Sequence, residues 1–101
     1  MAIKTTIKAL LDKHVKEIIS ELPESFDSHE FIQRLIKKDE EGYVRELHGC
    51  IKSKNGIFRN FHSQIGQYLS KNRETIGIRS AGIVPSENIK DYISNNEGWK
   101  K

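Results

Sequence analysis

The chain has one cysteine (Cys50), two prolines and one tryptophan among 101 residues. A single thiol excludes an internal disulfide and cannot build a structural zinc centre. Charged residues make up 31% of the chain, so no apolar run approaches the roughly 18 residues a membrane-spanning helix needs. Lys and Asp interrupt every apolar stretch near the N-terminus, which leaves no signal-peptide pattern. With the unpaired thiol, this leads us to expect a cytoplasmic protein without membrane contact.

Catalytic constellations are equally scarce. The histidines His14, His29, His48 and His62 never recur at a metal-ligand spacing such as i,i+4. Cys50 and His48, two apart on an expected helix, point to different faces, which argues against a Cys–His pair within it. Val44, Leu47 and Ile51 around Cys50 suggest a buried, unreactive thiol, since reactive thiols need a polar, partly exposed setting. Gly42, Gly49, Gly56 and Gly66 are scattered and form no phosphate-cradling loop, and no pair of carboxylates stands out. We therefore expect no enzyme, cofactor, metal site or small-molecule substrate.

What the chain does have is helical periodicity. A length of 101 residues suits one domain spanning 1–101. Ile3, Ile7, Leu10, Leu11, Val15, Ile18, Ile19 and Leu22 recur at intervals of three and four, predicting a helix over 3–22 that ends before Pro23. Asp27 and Glu30 form a capping box, and Phe26 and Phe31 its hydrophobic staple, opening a second helix whose inward stripe is Phe31, Ile32, Leu35 and Ile36. The polar run 37–42 reads as a break or as a solvated continuation. Tyr43, Val44, Leu47, Cys50 and Ile51 restore helical spacing, and the turn residues 53–56 end that third helix.

Ile57, Phe58, Phe61, Ile65, Tyr68 and Leu69 define a fourth helix over 56–71, closed by Asn72 in a left-handed cap. Gly66 inside it costs up to about 1 kcal/mol relative to Ala, so either a neighbouring helix or a phosphate backbone should approach there; packing is the expected reason. Short strands at 76–84 and 96–100 follow, with Pro85 marking an edge. A helix from Ser86 through Ile89, Tyr92 and Ile93 competes with this hairpin. Trp99 should fold back to anchor the hairpin on the helices.

The charges divide along the chain. Residues 1–50 hold eight Lys and Arg against ten Asp and Glu; residues 51–101 hold nine against four. If the apolar stripe of the fourth helix faces the core, its other side presents Arg59, Asn60, Ser63, Gln64, Gln67 and Lys71 with no carboxylate. Residues of these types read base edges in a DNA major groove, and N-terminal residues of a recognition helix enter first. Arg73 and Arg79, just beyond the helix, are placed to contact backbone phosphate.

Helices, a candidate recognition helix and then a hairpin resemble the order of a winged-helix or helix-turn-helix domain. The stretch from Phe58 to Leu69 (FRNFHSQIGQYL), the segment from Gly82 to Ile89 (GIVPSENI) and the terminal Trp99 also look like small uncharacterised bacterial proteins with a winged-helix-like fold. The resemblance covers about residues 25–101. It implies an α+β, mainly α architecture of four helices with a C-terminal β-hairpin. It also implies duplex DNA as the partner, with 56–71 as recognition helix and 76–100 as wing. The alternative is a protein-interaction or oligomerisation module, with the apolar stripe of helix 3–22 as the seam of a homodimer.

Overall fold

The computed structural model describes residues 3–54 and 56–101. Met1, Ala2 and Asn55, the last in the turn expected after the third helix, lie outside the described residues. Among the described residues, five helices and a three-stranded antiparallel sheet make up an α+β, mainly helical fold.

Helix α1 (Thr5–Glu21) buries Ile7, Leu11, Val15, Ile18 and Ile19. It ends where Pro23 forces Leu22 into extended backbone, φ −80 and ψ 153. Leu22 is buried too, and Ile3 and Leu10 pack partly against the same core. The stripe of 3–22 therefore faces inward within one protomer. It does not form an exposed seam.

The strand β1 (Ser25–Asp27) was not expected from its sequence. It forms because Phe26 pairs with Trp99 across an antiparallel ladder. Asp27 then turns the chain into α2 (Ser28–Lys38): its Oδ1 accepts the Glu30 N–H at 2.9 Å. Phe26 and Phe31 are both buried, as a hydrophobic staple requires. The polar run 37–42 holds a one-residue break. Asp39, at φ −148 and ψ 73, ends α2, and its Oδ1 accepts the Gly42 N–H at 2.9 Å to start α3 (Glu40–His48). A Cβ at Gly42 would lie 2.7 Å from the Asp39 carboxylate and 2.8 Å from Leu10 Cδ1, so any larger residue displaces the ends of these side chains.

The third helix is shorter than its periodicity predicts. It stops at His48, and turn hydrogen bonds from Cys50 to Leu47 and from Ile51 to His48 take the chain out of helical register. Cys50 is buried, whereas Val44 and Ile51 are more than half exposed.

Helix α4 (Ile57–Lys71) buries Phe61, Gln64, Ile65, Tyr68 and Leu69. Asn72 has φ −106 and is not a left-handed cap. A one-turn helix α5 (Arg73–Ile76) follows directly, and Gly77 at φ +85 supplies the left-handed residue. This extra turn displaces the hairpin: β2 is Arg79–Glu87 and β3 is Ile93–Lys100. Both strands extend the expected 76–84 and 96–100 toward the turn. The rival helix at 86–93 does not form, since Ser86 and Glu87 pair with Ser94 and Ile93.

Strand order is β1-β3-β2, so β2 is an edge, where Pro85 needs no ladder partner for its nitrogen. A register shift between Ser80 and Gly82, with Gly82 at φ +93, bends this edge. Trp99 is fully buried, and its indole Nε1–H donates to Ser28 Oγ at 3.1 Å. Among the described residues, no helix is long and apolar enough to cross a membrane.

Candidate functional site

Short hydrogen bonds hold the hairpin against the start of α2. The His29 backbone N–H donates to Asn96 Oδ1 at 3.1 Å, and His29 Nδ1 bonds Ser86 Oγ at 2.6 Å. Asn96 Nδ2 donates to Val84 O at 2.9 Å, joining the two strands. Ser28 Oγ takes the Trp99 N–H and donates to Glu97 O at 3.3 Å. The consequence is positional: the turn 88–91 is brought over the N-terminal half of α4.

Between α2, α4 and this turn lies a groove of about 550 Å³. Its walls include His29, Phe58, Arg59, Ser63, Gly66 and Lys90. Lys90 Nζ stands 5.7 Å from the centroid of the Phe58 ring, a cation–π distance. Asn88 Oδ1 accepts the Lys90 and Tyr92 backbone N–H groups at 2.9 and 3.2 Å, which closes the turn. Glu97 also lines the groove, but its Oε1 accepts Ser80 Oγ–H at 2.6 Å.

Behind Phe58 is an aromatic cluster. His62 lies 5.7 Å from Phe58, 5.9 Å from Phe61 and 5.9 Å from Tyr43, centroid to centroid. Its Nε2 and the Tyr43 hydroxyl share a 2.6 Å hydrogen bond. Burial, then repulsion from His29, pushes the His62 pKa down to about 4. Burial pushes the Tyr43 phenol up to about 12. At neutral pH both are uncharged, and the groove's permanent cations among the described residues are Arg59 and Lys90.

The structure divides the predicted reading face. Arg59 and Ser63 are exposed and open onto the groove. Gln64 is not on the surface: it is 2% exposed. Its Oε1 accepts the Lys4 backbone N–H at 2.9 Å, and its Nε2 donates to Asn60 Oδ1 at 2.7 Å. Gln64 thus serves the N-terminal end of α1 and holds Asn60, itself half-buried, on the same side. Position 64 is three after Phe61 and four before Tyr68, which puts it within the buried stripe. Its polarity suggested exposure, whereas its spacing carried the correct signal.

Gln67 is half-buried, and its Oε1 has no hydrogen-bond partner. Lys71, Arg73 and Arg79 are exposed, but at the far end of α4 from the groove. Arg79 opens β2 opposite Lys100, at the base of the hairpin, so the turn carries Lys90 where Arg79 had been expected to contribute. Gly66 is not a helix-packing position either, since a Cβ there would meet nothing within 4 Å.

Sequence reasoning missed His29 and Phe58 as parts of this surface, whereas Lys90 is legible as a basic residue of the hairpin loop. Helical spacing assigns Phe58 to the core, and no local pattern ties His29 or Lys90 to α4. Among the described residues, no group of three or more His, Cys, Asp or Glu is placed to hold a metal ion. No family model, curated protein or solved structure matches this chain.

Proposed function

We propose that this chain is a non-enzymatic nucleic-acid-binding domain of winged-helix type, with the groove between α4 and the β2–β3 hairpin as its contact surface. The observation that carries the reading is Arg59 and Lys90 facing one groove, neither engaged in an ion pair among the described residues. Two such cations beside an aromatic face suit phosphate and base together. The order of elements, with a strand after the first helix and sheet order β1-β3-β2, supports the winged-helix assignment. DNA is the proposed partner.

A salt titration of binding, followed by fluorescence anisotropy, tests this. Each phosphate contact contributes a slope of about −0.9 on duplex, or about −0.7 on single strands, to log affinity against log salt. Wild type should show several contacts, and Arg59→Ala and Lys90→Ala should each remove about one. Absence of binding to either form at low salt refutes the proposal.

A second reading, self-association, has its own support. Ile83, Tyr92 and Ile93 on the hairpin are 68, 69 and 69% exposed, and β2 is an edge strand. Any homodimer would then form through the hairpin, because the α1 stripe is buried. Sedimentation showing a monomer at micromolar concentration counts against it.

A further inference from the structure

We infer that the nucleic acid taken by this groove is single-stranded, with one base stacked on Phe58 and the adjoining phosphates held by Arg59 and Lys90. The inference rests on the nucleic-acid reading above and specifies the form of the strand.

Duplex recognition by α4 needs a protruding helix. A B-DNA major groove is about 12 Å wide and admits a whole helix with its reading side chains. Here Gln64 is inside the protein, and Asn60 is half-buried and bonded to it. The two exposed reading residues of the N-terminal half, Arg59 and Ser63, face a groove partly roofed by the hairpin turn. With Lys90 Nζ 5.7 Å from the Phe58 ring, no N-terminal half of α4 stands clear to enter a duplex.

A single strand meets no such obstacle. The groove, at about 550 Å³, falls within the size range of small-ligand sites, about 300–1,000 Å³, and a base with its sugar and phosphate is a ligand of that kind. Every base has a π-face, so stacking on an aromatic side chain tolerates any sequence. The entering base replaces the Lys90 ammonium over Phe58. An exposed cation–π contact is weaker than base stacking on the same ring, and the displaced ammonium then pairs with phosphate. Glu97, the one carboxylate lining the groove among the described residues, is hydrogen-bonded to Ser80.

Gly66 is an independent observation pointing the same way. It lies in mid-helix, where glycine is unfavourable, and beyond its chain neighbours and the adjacent backbone of α4 no protein atom lies within 4 Å of the Cβ it lacks. Packing therefore does not explain it. It lines the groove, and a bare helix surface there admits a strand backbone closely.

The test uses the full chain, with a short labelled oligothymidylate strand and a mixed-sequence duplex of equal length. The single strand should bind at least about tenfold more tightly than the duplex. Phe58→Ala should lower single-strand affinity about tenfold, and Phe58→Tyr should retain it. Gly66→Ala should raise the thermal midpoint of the free protein and yet weaken single-strand binding. Circular dichroism checks folding; if Phe58→Ala does not fold, Gly66→Ala and the exposed Lys90→Glu decide. Duplex binding equal to or tighter than single-strand binding overturns the inference and leaves the nucleic-acid reading standing. So does full single-strand affinity in folded Phe58→Ala, or in both Gly66→Ala and Lys90→Glu. No binding of either form at low salt removes both.

Discussion

His62 makes the fold acid-labile in a window set by its burial. In the folded protein it stays neutral down to about pH 4, against an ordinary 6.5. Between these values the unfolded chain takes up a proton that the folded chain refuses, so stability falls as pH falls. The loss begins near pH 6.5, reaches about 2 kcal/mol by pH 5 and saturates at about 3 kcal/mol near pH 4. A domain of this size has only about 5–15 kcal/mol in total. At an m-value of about 1–2 kcal/mol/M, urea midpoints should drop by about 1–2 M between pH 7 and pH 5. Asp12, Glu17 and Asp39 also have lowered pKa values, through hydrogen bonds to Lys8, Lys38 and the Gly42 N–H respectively. Their contributions are lost as pH falls through the ordinary carboxylate range and below it, so imidazole chemistry dominates between pH 5 and pH 7. His62→Gln keeps an uncharged polar group near Tyr43 and removes the titration. Its urea midpoint, read by circular dichroism, should be much flatter with pH than that of wild type. Equal pH dependence in the two proteins would refute the assignment.

Two further outcomes follow from buried polar contacts. Gln64→Ala leaves the Lys4 N–H without its acceptor and should cost about 1–3 kcal/mol; a thermal melt measures this, and the salt slope of nucleic-acid binding should not change. Trp99→Ala removes the largest fully buried side chain and should cost about 3–5 kcal/mol by denaturant titration. Trp99→Phe should cost less, roughly the lost Ser28 hydrogen bond plus a small cavity.

Features specified by neighbouring residues were legible in the sequence. The cap at Asp27, its staple and the stop before Pro23 each depend on side chains within a few positions. Features specified across the chain were not. Three residues, Ser25 to Asp27, carry no period-two pattern long enough to read as a strand; their ladder is supplied by Gly98 to Lys100. The groove depends on bonds such as His29 to Asn96 and Trp99 to Ser28, 67 and 71 positions apart. Asn72 was a plausible left-handed cap, but the chain makes one more turn before Gly77 takes that conformation. Gln64 shows the reverse failure, where residue type outweighed a spacing that was already informative.

The charge asymmetry survives folding, and this bears on how much of a strand the proposed surface would engage. Every ion pair among the described residues draws on positions 1–50: Lys8 with Asp12, Lys38 with Glu17 and Glu21, Arg45 with Glu41, and His14 with Asp39. The cations of the second half form no ion pair among the described residues. Five of the nine form two groups, Arg59 with Lys90 at the groove, and Lys71, Arg73 and Arg79 at the other end of α4. The helix rise separates Arg59 from Lys71 by about 18 Å along the axis, more than twice the screening length of about 8 Å at physiological ionic strength. The groups therefore act independently, and a ligand gains from both only if it spans them. At about 3.4 Å per nucleotide of a stacked strand, that takes about five nucleotides. Oligonucleotides shorter than this should bind with the shallow salt slope of the groove alone; longer ones should bind more tightly and with a steeper slope. A length series with no such break would confine the binding surface to the groove and make Lys71, Arg73 and Arg79 solubilising charges.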